Sequence, residues 1–120
     1  MTRRHLRSTL LALVLLAGLG CSGPTRGLKD PSKMKGVVLK AVPVGSRIEE
    51  ARRFMEREGF RCSPQTKSSF ADHDGTRKGI DYLYCDRSEG LIVSRRWQVA
   101  IVHSGDRVTD VLANTGLIGP

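Results

Sequence analysis

The first twenty-one residues constrain this chain more than any other stretch. Arg3, Arg4 and Arg7 precede an apolar run from Leu10 to Leu16, which continues through Ala17, Gly18, Leu19 and Gly20 to Cys21. The run falls short of the roughly 20 apolar residues that span a bilayer. A positive start, a short apolar core and small residues at its end have the layout of a cleaved export signal over residues 1–20. Of 120 residues, about 100 then remain, enough for one small domain and no more. The charge changes as well. The whole chain has 20 Lys and Arg against 12 Asp and Glu, a net +8. Without the three signal arginines the balance is 17 against 12, a net +5. Part of the apparent nucleic-acid charge is therefore an address, and no nucleic-acid partner is expected.

Leu16-Ala17-Gly18-Leu19-Gly20-Cys21 resembles the signal of bacterial lipoproteins, in which a small residue precedes the cysteine that becomes acylated. Gly20 fits that pattern, as does the polar Ser22-Gly23-Pro24-Thr25 that follows; Gly18 stands where the pattern prefers Leu. The resemblance implies palmitate-type acylation of Cys21 and a domain held in the cell envelope, facing the periplasm. Such proteins carry two or three acyl chains on this cysteine, and stable anchoring takes at least two membrane signals. Thr2-Arg3-Arg4-His5-Leu6 also partly resembles a twin-arginine signal. The plainer alternative is an ordinary signal peptide that ends near a cysteine. Residues 22–35 hold two Pro, two Gly and four basic residues. With Cys21 they read as a lipidated, flexible tether over 21–35, leaving 36–120 as the domain.

At that size a hydrophobic core alone is marginal, and a covalent staple helps. Two cysteines remain, Cys62 and Cys85. An exported chain meets an oxidising compartment, so a Cys62–Cys85 disulfide is expected. It would close a loop of somewhat over twenty residues, worth roughly 3 kcal/mol.

The clearest element is a helix over 47–58. Ser46-x-x-Glu49 has the form of a capping box, and Ile48, Ala51 and Met55 recur at helical spacing with Phe54 beside them. Gly59 supplies a left-handed C-terminal cap. Ahead of it, Gly36–Val42 reads as a strand or an extended lead-in. A short strand at 60–63 ends at Pro64, and a polar loop is expected from Gln65 to Gly79. Strands follow over 80–86 and 91–103, with Trp97, Val99 and Ile101 on one face and Gln98, Ala100 and Val102 on the other. Ser104-Gly105-Asp106 is a hairpin turn. The last strand runs from Arg107 to Ala113 with imperfect alternation, and 114–120 reads as a tail. One or two helices on a three- to four-stranded antiparallel sheet make an α+β two-layer sandwich.

The Pro43-Val44-Gly45-Ser46 turn, the Glu49-Glu50-Ala51 helix and the hairpin VAIVHSGDRVTDV (99–111) resemble the small envelope lipoproteins of the SmpA/OmlA (BamE-like) family. The resemblance covers residues 43–113 and implies short helices on an antiparallel sheet, a fold shared with β-lactamase-inhibitor proteins. This chain has Glu58-Gly59-Phe60 where the family's helical part ends in Gly-x-Pro, and it carries two cysteines that the family does not require.

Motifs for chemistry are sparse. Asp72, Asp74, Gly75 and Asp81 fall at positions 3, 5, 6 and 12 of a calcium loop, but Phe70 stands at position 1. The run reads as a solvated turn. Cys62 or Cys85 with His103 matches neither a redox pair nor a nucleophile with an orienting partner. No metal, no cofactor and no enzymatic activity are expected. The expected function is that of a membrane-anchored interaction or assembly module with an envelope protein as partner. The alternative is a soluble periplasmic inhibitor or ligand-binding domain of the same fold. Tyr82, Tyr84 and Trp97 are the candidate contact residues on a sheet face, because aromatics anchor interfaces.

Overall fold

A computed structural model describes residues 23–119. Two helices, α1 (Pro31–Ala41) and α2 (Ile48–Arg57), pack on a four-stranded sheet. Its strands are β1 (Arg61–Asp72), β2 (Gly75–Glu89), β3 (Ser94–Ser104) and β4 (Arg107–Ile118). They follow one another as an antiparallel meander in the order β1-β2-β3-β4. The fold is the expected α+β sandwich. No helix among the described residues is long and apolar enough to cross a membrane.

Helix α1 corrects two expectations. Its first residues lie inside the stretch read as a tether, and its second half replaces the strand or extended lead-in expected at 36–42. Composition misled there, because Pro and Lys are common in linkers. The local signal is nevertheless a helix start. The Asp30 carboxylate accepts a hydrogen bond from Ser32 N at 2.9 Å, and Pro31 occupies the first turn, where its missing N–H costs nothing. Met34, Val38 and Val42 then recur every fourth residue and are buried against the sheet.

Helix α2 lies within a residue of its expected ends. Ala51 and Met55 are fully buried, with Ile48 and Phe54 beside them. Its C-terminus is a Schellman motif: Phe60 N donates to Met55 O and Gly59 N to Glu56 O, with Gly59 at φ +88°. The capping box is not formed. Arg47 takes the cap position without a side-chain bond. The Ser46 backbone is committed to β4, exchanging hydrogen bonds with Val108 through Gly45 N and Ser46 O.

The helix-facing core joins both helices to Leu83 and Cys85 of β2, Trp97, Val99 and Ile101 of β3, and Val108, Val111 and Ala113 of β4. The imperfect alternation of β4 has a local cause. Val102 pairs with Asp110 and His103 with Val108, which leaves Thr109 as the extra residue of a bulge. Val108 and Val111 thereby share one face although three positions apart.

The polar stretch 64–79 is a hairpin arm, not a loop. Pro64 is tolerated because β1 is an edge strand. Register shifts between Gln65 and Phe70, with Lys67 at φ +47°, bend this arm across the outer face of the sheet. Thus Asn114 Nδ2 of β4 donates to Ala71 O of β1 at 3.3 Å, although the two strands are opposite edges. Asp110 binds Arg77 at 2.9 Å and Lys35 at 3.4 Å, tying the arm to α1. Beneath the arm lies a second small core of Phe70, Tyr82, Ala100, Val102 and Leu112. β4 also runs on to Ile118, through most of the expected tail.

Gly59→Ala tests the helix ending. A side chain held at this positive φ is strained by about 1–2 kcal/mol, and its Cβ would meet the Arg26 guanidinium. Urea unfolding followed by Trp97 fluorescence should show that loss; unchanged stability would contradict the assigned cap.

Candidate functional site

The most densely bonded polar side chain among the described residues is Arg87. Leu83, Cys85 and Arg87 share the helix-facing side of β2, so the alternation sends an arginine into the core layer. Its side chain is 3% exposed. Nη1 donates to Thr25 Oγ1 at 2.6 Å and to Glu58 O at 2.8 Å. Nη2 donates to Thr25 O at 3.0 Å and pairs with the Glu89 carboxylate. The guanidinium carbon stands 4.4 Å from the centre of the Phe60 ring. Burial pulls the Arg87 pKa below its ordinary value, and Glu89 opposes that shift. Nε finds no partner among the described residues.

Thr25 completes the network. It is fully buried, and both its N–H (2.9 Å) and its hydroxyl (2.6 Å) donate to Glu58 Oε1. Gly23 lies so close to the Glu58 carboxylate that a Cβ would not fit. The segment expected to be a free tether is therefore fixed to the domain from Gly23 onward. Its composition concealed this, since one small polar residue, Thr25, makes the attachment. Cys21 itself lies outside the described residues, as does the export segment.

Cys62 and Cys85 stand directly opposite each other in the β1–β2 ladder, with sulfurs 3.3 Å apart and not bonded. The pair is asymmetric. Cys85 is fully buried, and its hydrogen bond to Cys62, with desolvation, pushes its thiol well above the ordinary range. The same hydrogen bond stabilises the half-buried Cys62 thiolate and lowers its pKa. His103 is not part of this pair. It faces Asp81, four positions along β2 from Cys85, and its Nδ1 contacts Gly105 O in the β3–β4 turn.

The three aromatic candidates divide. Trp97 is fully buried in the helix-facing core, which corrects its assignment as a contact residue. It is in phase with Val99 and Ile101, and that phase is the inward one. Tyr82 is 5% exposed, stacks edge-on against Phe70 with ring centres 5.7 Å apart, and donates to Ser69 O. The curled hairpin arm thus occupies its surroundings. Tyr84 is half-buried, and its hydroxyl accepts from Gln98 Nε2 at 2.8 Å. The calcium-like residues also separate. The Asp72 carboxylate accepts from Asp74 N in the β1–β2 turn, while the Asp81 carboxylate accepts from Lys67 N at the bulge. No group of metal-ligating side chains converges among the described residues.

No protein-family model, curated protein or solved structure matches this chain. Function therefore rests on the site itself. The network has one structural consequence: it fixes where the chain enters the domain, at the end of β2 that carries Arg87 and Glu89.

Two measurements follow. Arg87→Ala leaves Thr25 and Glu58 buried without their partner and should cost about 3–5 kcal/mol. Residues 23–30 should become open to limited proteolysis. A loss under about 1 kcal/mol would show that the network is incidental. Separately, oxidation should join Cys62 to Cys85, so that Cys62→Ser loses roughly 3 kcal/mol against the oxidised parent. In the reduced protein, iodoacetamide should reach Cys62 before Cys85. Protein recovered from the periplasm with two free thiols would contradict the bond.

Proposed function

We propose that this chain is a lipid-anchored protein of the bacterial cell envelope, acylated at Cys21, which presents a small non-enzymatic interaction domain at the membrane surface. The observation that carries this reading is the order of three features: an export-type segment, a cysteine behind small residues, and a packed domain that begins at once. Gly23 is two positions beyond Cys21, and a fully extended chain covers at most about 7 Å over that distance. An anchor at Cys21 would hold the domain against the bilayer. It would not let the domain range away on a leash. That geometry suits a component that works beside a membrane-embedded partner, and an envelope protein is the partner proposed.

The surface for such a partner differs from the one the aromatics suggested. The curled hairpin arm covers much of the outer sheet face. The β1 edge is polar, bulged and carries Pro64, features that discourage strand addition. The layout of short helices on an antiparallel sheet is compatible with the resemblance of residues 43–113 to the SmpA/OmlA lipoproteins. Cys62 and Cys85, which that family does not require, staple the β1–β2 ladder in this reading.

Labelling of expressing cells with a radioactive fatty acid tests the anchor. Label should enter the full-length protein and be absent from Cys21→Ala. Unlabelled protein in the soluble periplasm would contradict the anchor and favour the soluble inhibitor or ligand-binding alternative.

A further inference from the structure

The end of the sheet at which the chain enters also carries five of the six exposed large apolar side chains among the described residues. The β2–β3 connection, Gly90 to Val93, carries three consecutive aliphatic residues on the outside. Leu91 is 100% exposed, Ile92 80% and Val93 52%. Register brings the end of β4 beside them: Ser94 pairs with Ile118 and Arg95 with Leu117. Leu117 and Ile118 are likewise exposed. Single exposed aliphatics need no explanation, but five of them at one end of a small sheet do. Nothing in the packing requires them, since both cores are already closed by other residues.

The surroundings are basic. Gly27, Leu28 and Lys29 of the entering chain meet Val93, Arg95 and Leu117 around a shallow cleft of about 440 Å³. Arg26 and Lys29 are exposed, and Arg96 lies on the same strand end. The acidic groups at this end are already taken, Glu89 by Arg87 and Asp86 by Arg96, which leaves Arg26, Lys29 and Arg95 as the basic rim. An aliphatic tip with a rim of Lys and Arg matches the two zones of an anionic membrane, acyl chains beneath phosphates.

We infer that Leu91, Ile92 and Val93, with Leu117 and Ile118, form a membrane-contacting tip that dips into the interface of an anionic phospholipid bilayer. The inference rests on the anchoring reading for its geometry. Gly23, the first described residue, packs against the Glu58 carboxylate, and the Thr25–Glu58–Arg87 network ties this entry segment to Glu89. Gly27 to Lys29, a few residues on, line the cleft with Val93 of the tip. Acyl chains on Cys21 would therefore enter the bilayer next to the aliphatic loop. The loop and its basic rim supply a second, non-covalent signal, and the two together fix the domain's orientation. The β3–β4 turn then points away from the membrane, roughly 33 Å along β3.

The test places a tryptophan at the tip. Ile92→Trp protein is recovered after processing by expressing cells and its mass is measured for acyl chains. It is then mixed with vesicles of phosphatidylethanolamine and cardiolipin bearing brominated acyl chains. Trp97 is buried and supplies a constant background. Asp106→Trp, in the β3–β4 turn, is the control, since the Asp106 side chain is 70% exposed. The expected result is blue-shifted and quenched added emission for Ile92→Trp and unquenched added emission for Asp106→Trp. An acylated protein on the vesicles whose Ile92→Trp emission is unquenched overturns the tip and leaves the anchor standing, and equal quenching at both sites also overturns it. An unacylated protein with Ile92→Trp alone quenched upholds the tip and overturns the anchor. Unacylated protein with neither site quenched overturns both.

Discussion

A buried guanidinium holds this molecule together across its sequence. Arg87 bonds to Thr25, which is 62 positions away, and to the carbonyl of Glu58 at the end of α2. It thereby adds a polar junction among the entry segment, the end of α2 and β2, which also share the helix-facing apolar core. A charge this deep is retained only when its partners are in place, because desolvation otherwise outweighs the pairing. The partners here are numerous: a carboxylate, two carbonyls, a hydroxyl and the face of Phe60. The same contacts that satisfy the charge make the entry of the chain part of the domain.

The second organising constraint is the curvature of the sheet. A flat four-stranded meander under two helices would leave its outer face bare. Bulges near Lys67 bend the β1–β2 arm instead, and Phe70 closes over Tyr82 and Leu112. Asp110, Arg77 and Lys35 then lock the arm to α1. A chain of this size gains two small cores on opposite faces of one sheet. Of the six exposed large apolar side chains among the described residues, five lie at one end, at Leu91–Val93 and Leu117–Ile118, and Val44 lies apart.

Much of this was legible in the sequence, and the failures have physical causes. The α2 stripe, the Gly59 cap and the alternation of β3 are local patterns, and they formed as read. The hairpin arm was not legible, because an edge strand can be polar on both sides and still be held by its ladder. Helix α1 was hidden by composition, although Asp30-Pro31 followed by Met34 and Val38 was a usable signal. Trp97 has the residue type of an interface anchor, but its phase with Val99 and Ile101 is the inward one. Arg87 carries a usable local signal, since it continues the inward alternation of Leu83 and Cys85. Its partners, by contrast, are set by tertiary structure, and no local pattern names Thr25. The register places Cys62 and Cys85 across from each other, both as free thiols.

The central claim is that the chain is fixed to the domain from Gly23 onward, two positions after Cys21. The amide of Thr25 reports on this directly, because its hydrogen bond to Glu58 exists only while the entry segment is docked. Amide hydrogen exchange followed by NMR should show Thr25 protected to the degree of the β3 core amides. Exchange of Thr25 at the rate of an exposed, unstructured segment would mean that the entry segment is a tether after all, and would contradict the account.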